Sequence, residues 1–221
     1  MPQAAFNANS RYVYTVHIRV YSVNMATKQR LLECALEELE RGGVAAFSLR
    51  SVSAAAGLSP MAVYRHYPNK EELLRAAGVE AFAVWQKRAE SIRATDPLEW
   101  LRHAGRLYVQ FALDEPARFD ACFVLRTGVE RRYPRDFRAG KSPVVAMTVA
   151  RIEAAQAAGY LAAGDALEIG MIFWAQLHGL VMLQRSGRMS MSRPALFALA
   201  ARSTDCLLAA FRTTSTKEAA A

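Results

Sequence analysis

Side chains that can bind a nucleic acid are concentrated between residues 48 and 70. Arginine, lysine, histidine and tyrosine donate hydrogen bonds to phosphate oxygens, and arginine can bind a guanine edge through two hydrogen bonds. Such contacts need an element slim enough to enter the major groove, such as an α-helix. The candidate DNA-binding residues are Ser48, Arg50, Ser59, Pro60, Met61, Ala62, Tyr64, Arg65, His66 and Lys70.

The sequence around these candidates predicts two short helices joined by a tight turn. Ser48 is a candidate N-cap of the first helix, and Gly57 ends that helix where a left-handed backbone conformation is needed. Ser59 is a candidate N-cap of the second helix, with Pro60 at its first position. A third helix is predicted to start at Lys70. Two helices of about two turns around a glycine-containing turn are typical of the helix-turn-helix unit, whose second helix lies in the major groove.

The run AGLSPMAVYRHYPNKEEL, residues 56–73, resembles the DNA-binding domain of TetR/AcrR-type bacterial transcriptional repressors. That family typically shows G-[VL]-S-x-x-x-[LIV]-Y-x-[HY]-F-x-[NS]-K-E-x-L. Tyr67 stands where phenylalanine is commoner, which is a conservative departure. The resemblance covers residues 27–93 and includes what looks like the family's first helix and its glycine turn.

The resemblance implies roles for individual side chains. Met61 and Ala62 match positions that contact base edges or thymine methyl groups, and Tyr64 and His66 match phosphate contacts. Arg50 matches a position at which the family sometimes reads a guanine. For Arg65 a guanine contact and a phosphate contact are equally open.

Other assignments rest on the residues themselves. Lys70 and the N–H groups at the start of its helix can hold a phosphate, because a helix N-terminus attracts anions. Ser48 and Ser59 are caps and also candidate phosphate donors. For each polar candidate, the alternative is a surface residue whose role is solubility.

Aromatic, histidine and methionine residues recur at helical spacings in the second half of the chain. Trp174, His178 and Gly179, within FWAQLHGL, resemble the signature of a C-terminal ligand-binding subfamily called WHG. Ligand sites are mainly apolar with few polar anchors, so such a set could line a cavity, and ordinary core packing is the alternative. The candidate effector-binding residues are Trp100, His103, Leu107, Phe111, Phe123, Met147, Trp174 and His178.

The 221 residues carry a net charge of +8, which suits an anionic partner without identifying it. Much of the surplus in the second half lies in one stretch, where six basic residues face only Glu130 and Asp136. Three interpretations of this stretch are open: a solvated loop, a gate for an acidic ligand, or a second phosphate contact. The basic residues are Arg126, Arg131, Arg132, Arg135, Arg138 and Lys141.

Several classes of function lack support in the sequence. The three cysteines, Cys34, Cys122 and Cys206, are widely separated and have no metal-ligand spacing, which predicts a reducing, cytoplasmic location without a disulfide framework or zinc site. No catalytic triad, paired-carboxylate motif, phosphate loop or zinc-protease motif is present, so we expect neither an enzyme nor a cofactor. The apolar run at residues 169–183 is short and contains polar residues, which predicts a buried helix and no membrane partner.

The periodicity predicts an all-α fold with a three-helix helix-turn-helix domain followed by a helical bundle. We place these domains at residues 25–93 and 94–213, with a tail at 214–221. Helices of the second domain are expected at 97–113, 116–125, 143–158, 165–186 and 194–212.

Residues 1–24 form a separate extension in this interpretation. Apolar residues alternate between positions 12 and 20, which suggests a strand in an otherwise helical chain. A start-site artefact is the leading interpretation of the extension. A disordered arm and a basic arm that enters the minor groove through Arg11 and Arg19 are the alternatives.

The resemblance implies a homodimeric regulator that binds a palindromic operator and, as a repressor, is released from it by a small hydrophobic effector. Two-fold operators pair with two-fold proteins, and the helices at 165–186 and 194–212 are the expected dimer interface. One rival is an effector-independent DNA-binding protein whose C-terminal domain is closed or docks a partner. A small helical enzyme is the other.

Overall fold

The computed structural model describes the backbone of residues 8–213 and the side chains from Met25 to Thr213. Within that range the chain forms ten helices and no β-strand, so the all-α prediction is confirmed. The helices are α1 (Ala8–Ala46), α2 (Leu49–Ala55), α3 (Pro60–Tyr64), α4 (Lys70–Glu90), α5 (Pro97–Asp114), α6 (Pro116–Phe123), α7 (Arg135–Arg138), α8 (Pro143–Ala157), α9 (Ala166–Arg185) and α10 (Arg193–Ala210).

Helix α1 packs against α2 and α4 and supplies one wall of the first core. Its buried residues Leu31, Ala35 and Leu39 follow the spacing of one helical face. They pack against residues of the short helices α2 and α3, among which Val52 and Val63 are fully buried. The apolar face of α1 therefore packs across the helix-turn-helix pair.

Helix α1 already begins at Ala8, so the predicted strand between residues 12 and 20 is wrong. Extending an existing helix adds one hydrogen bond for each residue fixed, whereas a lone strand has no partner with which to pair. The three interpretations of residues 1–24 stay predictions, because residues 1–7 and all side chains before Met25 lie outside the described part. The predicted tail at residues 214–221 also lies outside it.

Helix α5 is the centre of the second half and packs against α6, α8, α9 and α10. Leu101, Val109 and Phe111 on this helix are completely buried or nearly so. The five predicted helices all form, with ends within two residues of those expected. The sequence pattern missed α7, because a single turn is too short to show a periodicity.

Helix α4 belongs to the packing of both halves. Its first turn closes the helix-turn-helix core through Leu73, and its later turns pack against α6 through Ala81 and Trp85. Helix α4 thus connects the helix-turn-helix unit with the second half of the chain.

Helix α9 is, among the described residues, the one helix that by length and composition could cross a membrane. It packs here against α5, α8 and α10, and buries Phe173, Leu177 and Val181 in the core. Ile172 and Leu183 on the same helix are 40% and 41% exposed. Part of its apolar surface is thus left uncovered by the described residues.

Candidate DNA-binding surface and ligand cavity

The caps predicted for the helix-turn-helix unit are all present. Ser48 Oγ accepts a hydrogen bond from the backbone N–H of Ser51 at 3.0 Å, and Ser59 Oγ accepts one from Ala62 at 3.3 Å. Gly57 has a φ of 66°, a left-handed conformation that glycine adopts without a steric penalty. Local hydrogen bonds therefore set the angle at which α3 leaves the turn.

Helix α3 presents one face to solvent and one to the core. Val63 is completely buried, and Tyr67 just beyond the helix is 3% exposed. Met61 is 71% exposed and Tyr64 is 50% exposed. An apolar side chain that projects this far from a short helix is available for contact with a thymine methyl group.

The remaining candidates surround this exposed face. Arg50 and Arg65 are exposed, and no ion pair engages either of them in the described part of the chain. Pro60 is exposed at the first position of α3, and Ala62 is half-buried. Helix α3 ends at Tyr64, so Arg65 is its C-cap and His66 lies just beyond it.

Lys70 has a structural contact that its sequence position did not indicate. Its Nζ donates a hydrogen bond to the backbone carbonyl of Val44 at 2.8 Å and lies 5.7 Å from the ring centre of Phe47. The lysine thus ties the start of α4 to the end of α1. Two N–H donors on Nζ are left for a phosphate.

A cavity of about 550 Å³ lies in the second half, within the usual size range of small-molecule sites. Its walls come from α4, α5, α6, α8, α9 and the segment that follows α6. Most of the lining is apolar, and Phe82, Leu107, Phe123, Val144 and Trp174 are representative members.

Three of the eight predicted effector residues line this cavity: Leu107, Phe123 and Trp174. The other five predicted residues lie outside its lining. Trp100 and Phe111 are buried in the core on other faces of α5, and Met147 packs against the core from α8. His103 borders a smaller cleft on the outer side of α5. His178, the fifth of these residues, lies behind the cavity wall. Helical spacing alone therefore did not distinguish the helix face towards the cavity from the neighbouring faces.

Tyr108 joins Trp174 to His178 through its hydroxyl group. Its oxygen accepts a hydrogen bond from Trp174 Nε1 at 2.9 Å and lies 2.8 Å from His178 Nδ1. Because the indole can only donate, the tyrosine proton is available to Nδ1 of a neutral histidine. The Trp and His of the WHG signature therefore both form hydrogen bonds with one tyrosine of α5. Sequence analysis missed Tyr108, because nothing in its position next to Leu107 on the predicted helix indicated a polar role.

Burial governs the titration of this cluster. It raises the pKa of Tyr108 well above its usual range, so the hydroxyl keeps its proton. Burial, followed by the nearby guanidinium of Arg185, lowers the pKa of His178. His178 is therefore neutral at pH 7 in the folded protein.

The lowered pKa of His178 predicts a loss of stability in mild acid. In the unfolded chain the histidine protonates near pH 6.5, whereas the folded protein resists protonation until a lower pH. The contribution of His178 is fully present above about pH 6.5 and is lost as the pH falls through the folded pKa. We expect the melting temperature to fall between about pH 7 and pH 5, above the range in which most carboxylates titrate.

Thermal melts across that pH range check this expectation in a matched pair of variants. His178→Gln keeps an acceptor for Tyr108 but does not titrate, so its melting temperature should depend less on pH. His103→Gln, on the exposed side of α5, should keep the pH dependence of the unaltered protein. An equal slope in His178→Gln would contradict the assignment.

The segment after α6 fits into a notch on α4. A Cβ atom at Gly78 would lie 2.5 Å from Thr127 Oγ1 and 2.8 Å from Val129 Cγ2. Arg75, one turn earlier on α4, donates a hydrogen bond from Nη1 to the carbonyl of Gly128 at 3.0 Å. Val129 also lines the cavity, so one residue touches both α4 and the enclosed space.

Two family models match the chain. The model for bacterial regulatory proteins of the tetR family matches residues 31–77, which contain the helix-turn-helix unit. The model for the tetracyclin repressor-like C-terminal domain matches residues 101–207, which contain most of the cavity and the Trp174–Gly179 stretch.

Individual proteins agree with the two models. The HTH-type transcriptional regulatory protein RaaS of Mycobacterium tuberculosis is 31% identical over 87 residues, which are 39% of this chain and 41% of that protein. The chain thus spans less than half the length of this relative. A TetR family regulator from Marinobacter aquaeolei VT8 has a TM-score of 0.67 at 20% identity, covering 85% of this chain and 97% of the other.

A further similar structure is that of AibR, solved in complex with isovaleryl coenzyme A and operator DNA. Its TM-score is 0.62 at 18% identity, and the match covers 80% of this chain and 97% of AibR. At such identities these structures show a shared fold. The two family models establish that the chain belongs to the TetR family of bacterial transcriptional regulators.

Proposed function

We propose that the protein is a repressor that binds an operator through α3 and releases it when a small molecule fills the cavity. The observation that carries the proposal is the contact of one segment, Thr127–Val129, with both the cavity and α4. Helix α4 begins inside the helix-turn-helix unit, so a ligand that displaces this segment also moves the DNA-binding surface. A ligand acts in this way only if it binds one arrangement better than the other.

The effector-independent alternative lacks this support, because the cavity is open enough to hold a ligand and is lined mainly by apolar groups. AibR, which shares the fold, binds both a ligand and operator DNA. TetR regulators are not enzymes in general, and we assign no catalytic role to any residue.

The DNA contacts in this proposal come from the exposed face around α3. Met61 and Ala62 face the bases, Tyr64 and His66 bind phosphates, and Arg50 and Arg65 read base edges. Ser48, Ser59, Pro60 and Lys70 complete the surface at the starts of α2, α3 and α4.

Substitution of the two arginines tests the assignment of base contacts. Alanine at Arg50 or Arg65 should weaken operator binding by about 1–3 kcal/mol and relax the preference at one base pair. Arg93→Ala, which removes the same charge beyond the end of α4, should leave the preference intact. Selection of bound DNA from a random pool, followed by titration of the selected operator, measures both effects. An unaltered consensus in both variants would place specificity elsewhere.

We further propose that two copies pair through α9 and α10. Ile172 and Leu183 leave apolar surface uncovered on α9, and a Cβ atom at Gly179 between them would meet nothing within 4 Å. The close approach that glycine permits is therefore not used within one protomer. Ala198 and Ala201 on α10 are also small and exposed, which suits close packing against a second copy.

Gly179→Arg tests this interface without disturbing the core of the protomer. We expect it to weaken dimerisation at least about tenfold, because a buried interface charge has no partner. Ala150→Arg adds the same group to an exposed site on α8 and should leave the dimer unchanged. Sedimentation equilibrium measures the dimer constant, and a folded, fully dimeric Gly179→Arg protein would exclude this surface.

A further inference from the structure

The charged part of the cavity lining comes from one segment of the chain. Arg126, Glu130, Arg131 and Lys141 are its four charged members, whereas α4, α5 and α9 contribute apolar or uncharged side chains. Three cations therefore face one carboxylate. The cavity has an apolar body and a positively charged side.

The two acidic groups in this region are already engaged. Lys141 Nζ pairs with Asp136 Oδ1 at 3.0 Å, and Glu130 accepts a hydrogen bond from the backbone N–H of Gly128 at 2.9 Å. Burial opposes ionisation of Glu130, but the backbone donors and nearby Arg126 outweigh it and lower its pKa. Glu130 thus stays charged without forming an ion pair within the described residues.

Neither arginine forms a salt bridge with a carboxylate in the described part of the chain, although Arg126 is near enough to Glu130 to lower the pKa of its carboxyl group. Arg131 donates from Nε to the carbonyl of Lys141 at 3.0 Å and from Nη1 to the carbonyl of Val129. These bonds hold the guanidinium in place and leave three of its five N–H groups free. No hydrogen bond or ion pair engages Arg126 among these residues.

The basic stretch divides into two groups. Arg132, Arg135 and Arg138 lie outside the lining, and Arg135 and Arg138 pair with Asp136 and Asp165. Arg126 and Arg131 lie in the lining with N–H donors to spare. All five side chains are exposed to solvent, and what sets Arg126 and Arg131 apart is their place in the lining, where their donors can reach an anion in the cavity.

We propose that the effector is an amphiphilic acid, with an apolar body against α4, α5 and α9 and an acidic head on Arg126 and Arg131. This inference rests on the proposed function and adds the chemical class of its ligand. A cationic ligand would be repelled by the excess of positive charge, and a neutral one would gain no binding energy from the two guanidinium groups. Carboxylate, phosphate and sulfonate heads share the required oxygen acceptors.

Two fluorescent probes with the same aromatic body test this class in the full chain. Anilinonaphthalene sulfonate carries an acidic head, and phenylnaphthylamine lacks it. We expect Arg126→Gln and Arg131→Gln each to raise the Kd of the sulfonate probe about fivefold relative to the Kd of the neutral probe. The affinity of the neutral probe should stay within about twofold. Arg132→Gln removes the same charge outside the lining and should not change the ratio.

The result for Arg126→Gln is easier to interpret than that for Arg131→Gln, because Arg131 also donates hydrogen bonds to the backbone around it. Val145→Phe, which fills the cavity from α8, should weaken both probes and so shows where they bind. Displacement of the sulfonate probe by laurate or by dodecyl phosphate then distinguishes carboxylate from phosphate preference. Equal displacement by dodecanol would contradict a role for the head group.

The probe measurements distinguish a cavity that binds no ligand from a cavity whose ligand is not an acid. If neither probe binds, or if binding survives Val145→Phe unchanged, the cavity is not a ligand site and the proposed function itself fails. If both probes bind in the cavity with the same ratio in Arg126→Gln, the acidic class is wrong and the proposed function stands. A fall in ligand-free operator affinity in Arg126→Gln, without a change in the ratio, would assign the segment to DNA phosphates instead.

Discussion

Trp174→Ala is expected to lower the free energy of unfolding by about 3 kcal/mol, the lower end of the range for buried tryptophans. The lower end applies because Trp174 is half-buried. The substitution removes ring contacts with Phe123 and Phe137 and the hydrogen bond to Tyr108. The same ring lines the cavity, so probe binding should fall as well. Chemical denaturation and probe titration on one preparation measure both losses.

Trp174→Phe separates the two roles of the indole. It keeps an aromatic wall but leaves the Tyr108 hydroxyl without its donor, which should cost about 1 kcal/mol while probe affinity stays within a few-fold. Tyr108→Phe removes the other end of the same hydrogen bond, so the double variant should lose less than the sum of the single losses. Additive losses would show that the hydrogen bond contributes nothing to stability.

Gly78→Ala is expected to uncouple the cavity from the helix-turn-helix unit. The added methyl group overlaps Thr127 and Val129, so the segment must leave its notch on α4 at a cost of about 1–3 kcal/mol. The substitution should have a small effect on the operator affinity of the ligand-free protein. It should have a larger effect on the loss of operator affinity that a cavity ligand causes. Operator titrations with and without a saturating cavity probe measure the coupling free energy, which should approach zero.

Gly170→Ala is the matched control for this substitution. Gly170 is also buried in a helix that lines the cavity, but its added Cβ atom would meet neighbours at 3.5 Å or more, an ordinary contact distance. Stability and coupling should therefore be close to those of the unaltered protein. Full coupling in Gly78→Ala would rule out the Thr127–Val129 contact as the transmitting element.

The lining of the cavity shows where sequence analysis reached its limit. Trp174 and His178 were predicted from one turn of helical spacing, yet only Trp174 reaches the cavity. The difference lies in Tyr108, which is 70 positions from His178 and 66 from Trp174 in the chain. Periodicity places residues on a face, but it does not say which neighbouring helix that face meets. Trp100 and Phe111, on the same predicted helix as Leu107, lie outside the lining for the same reason.

Lys70 and Gly78 illustrate the same limit on α4. The start of the helix at Lys70 was predicted correctly, but its hydrogen bond to Val44 spans 26 positions and left no trace in the pattern. The notch at Gly78 depends on a segment about 50 positions later in the chain. Neither contact has a local signature, because both partners are common residue types at unremarkable spacings.

The sequence by itself determined the helix-turn-helix unit: its caps at Ser48 and Ser59, its left-handed turn at Gly57 and the buried faces of its helices. These features depend on hydrogen bonds and backbone angles within a few residues of one another, which side-chain type controls directly. Only the tertiary structure decided the cavity, the Tyr108 cluster and the contact of Val129 with α4. Those depend on how separate helices cross, and that is settled by packing among residues far apart in the chain.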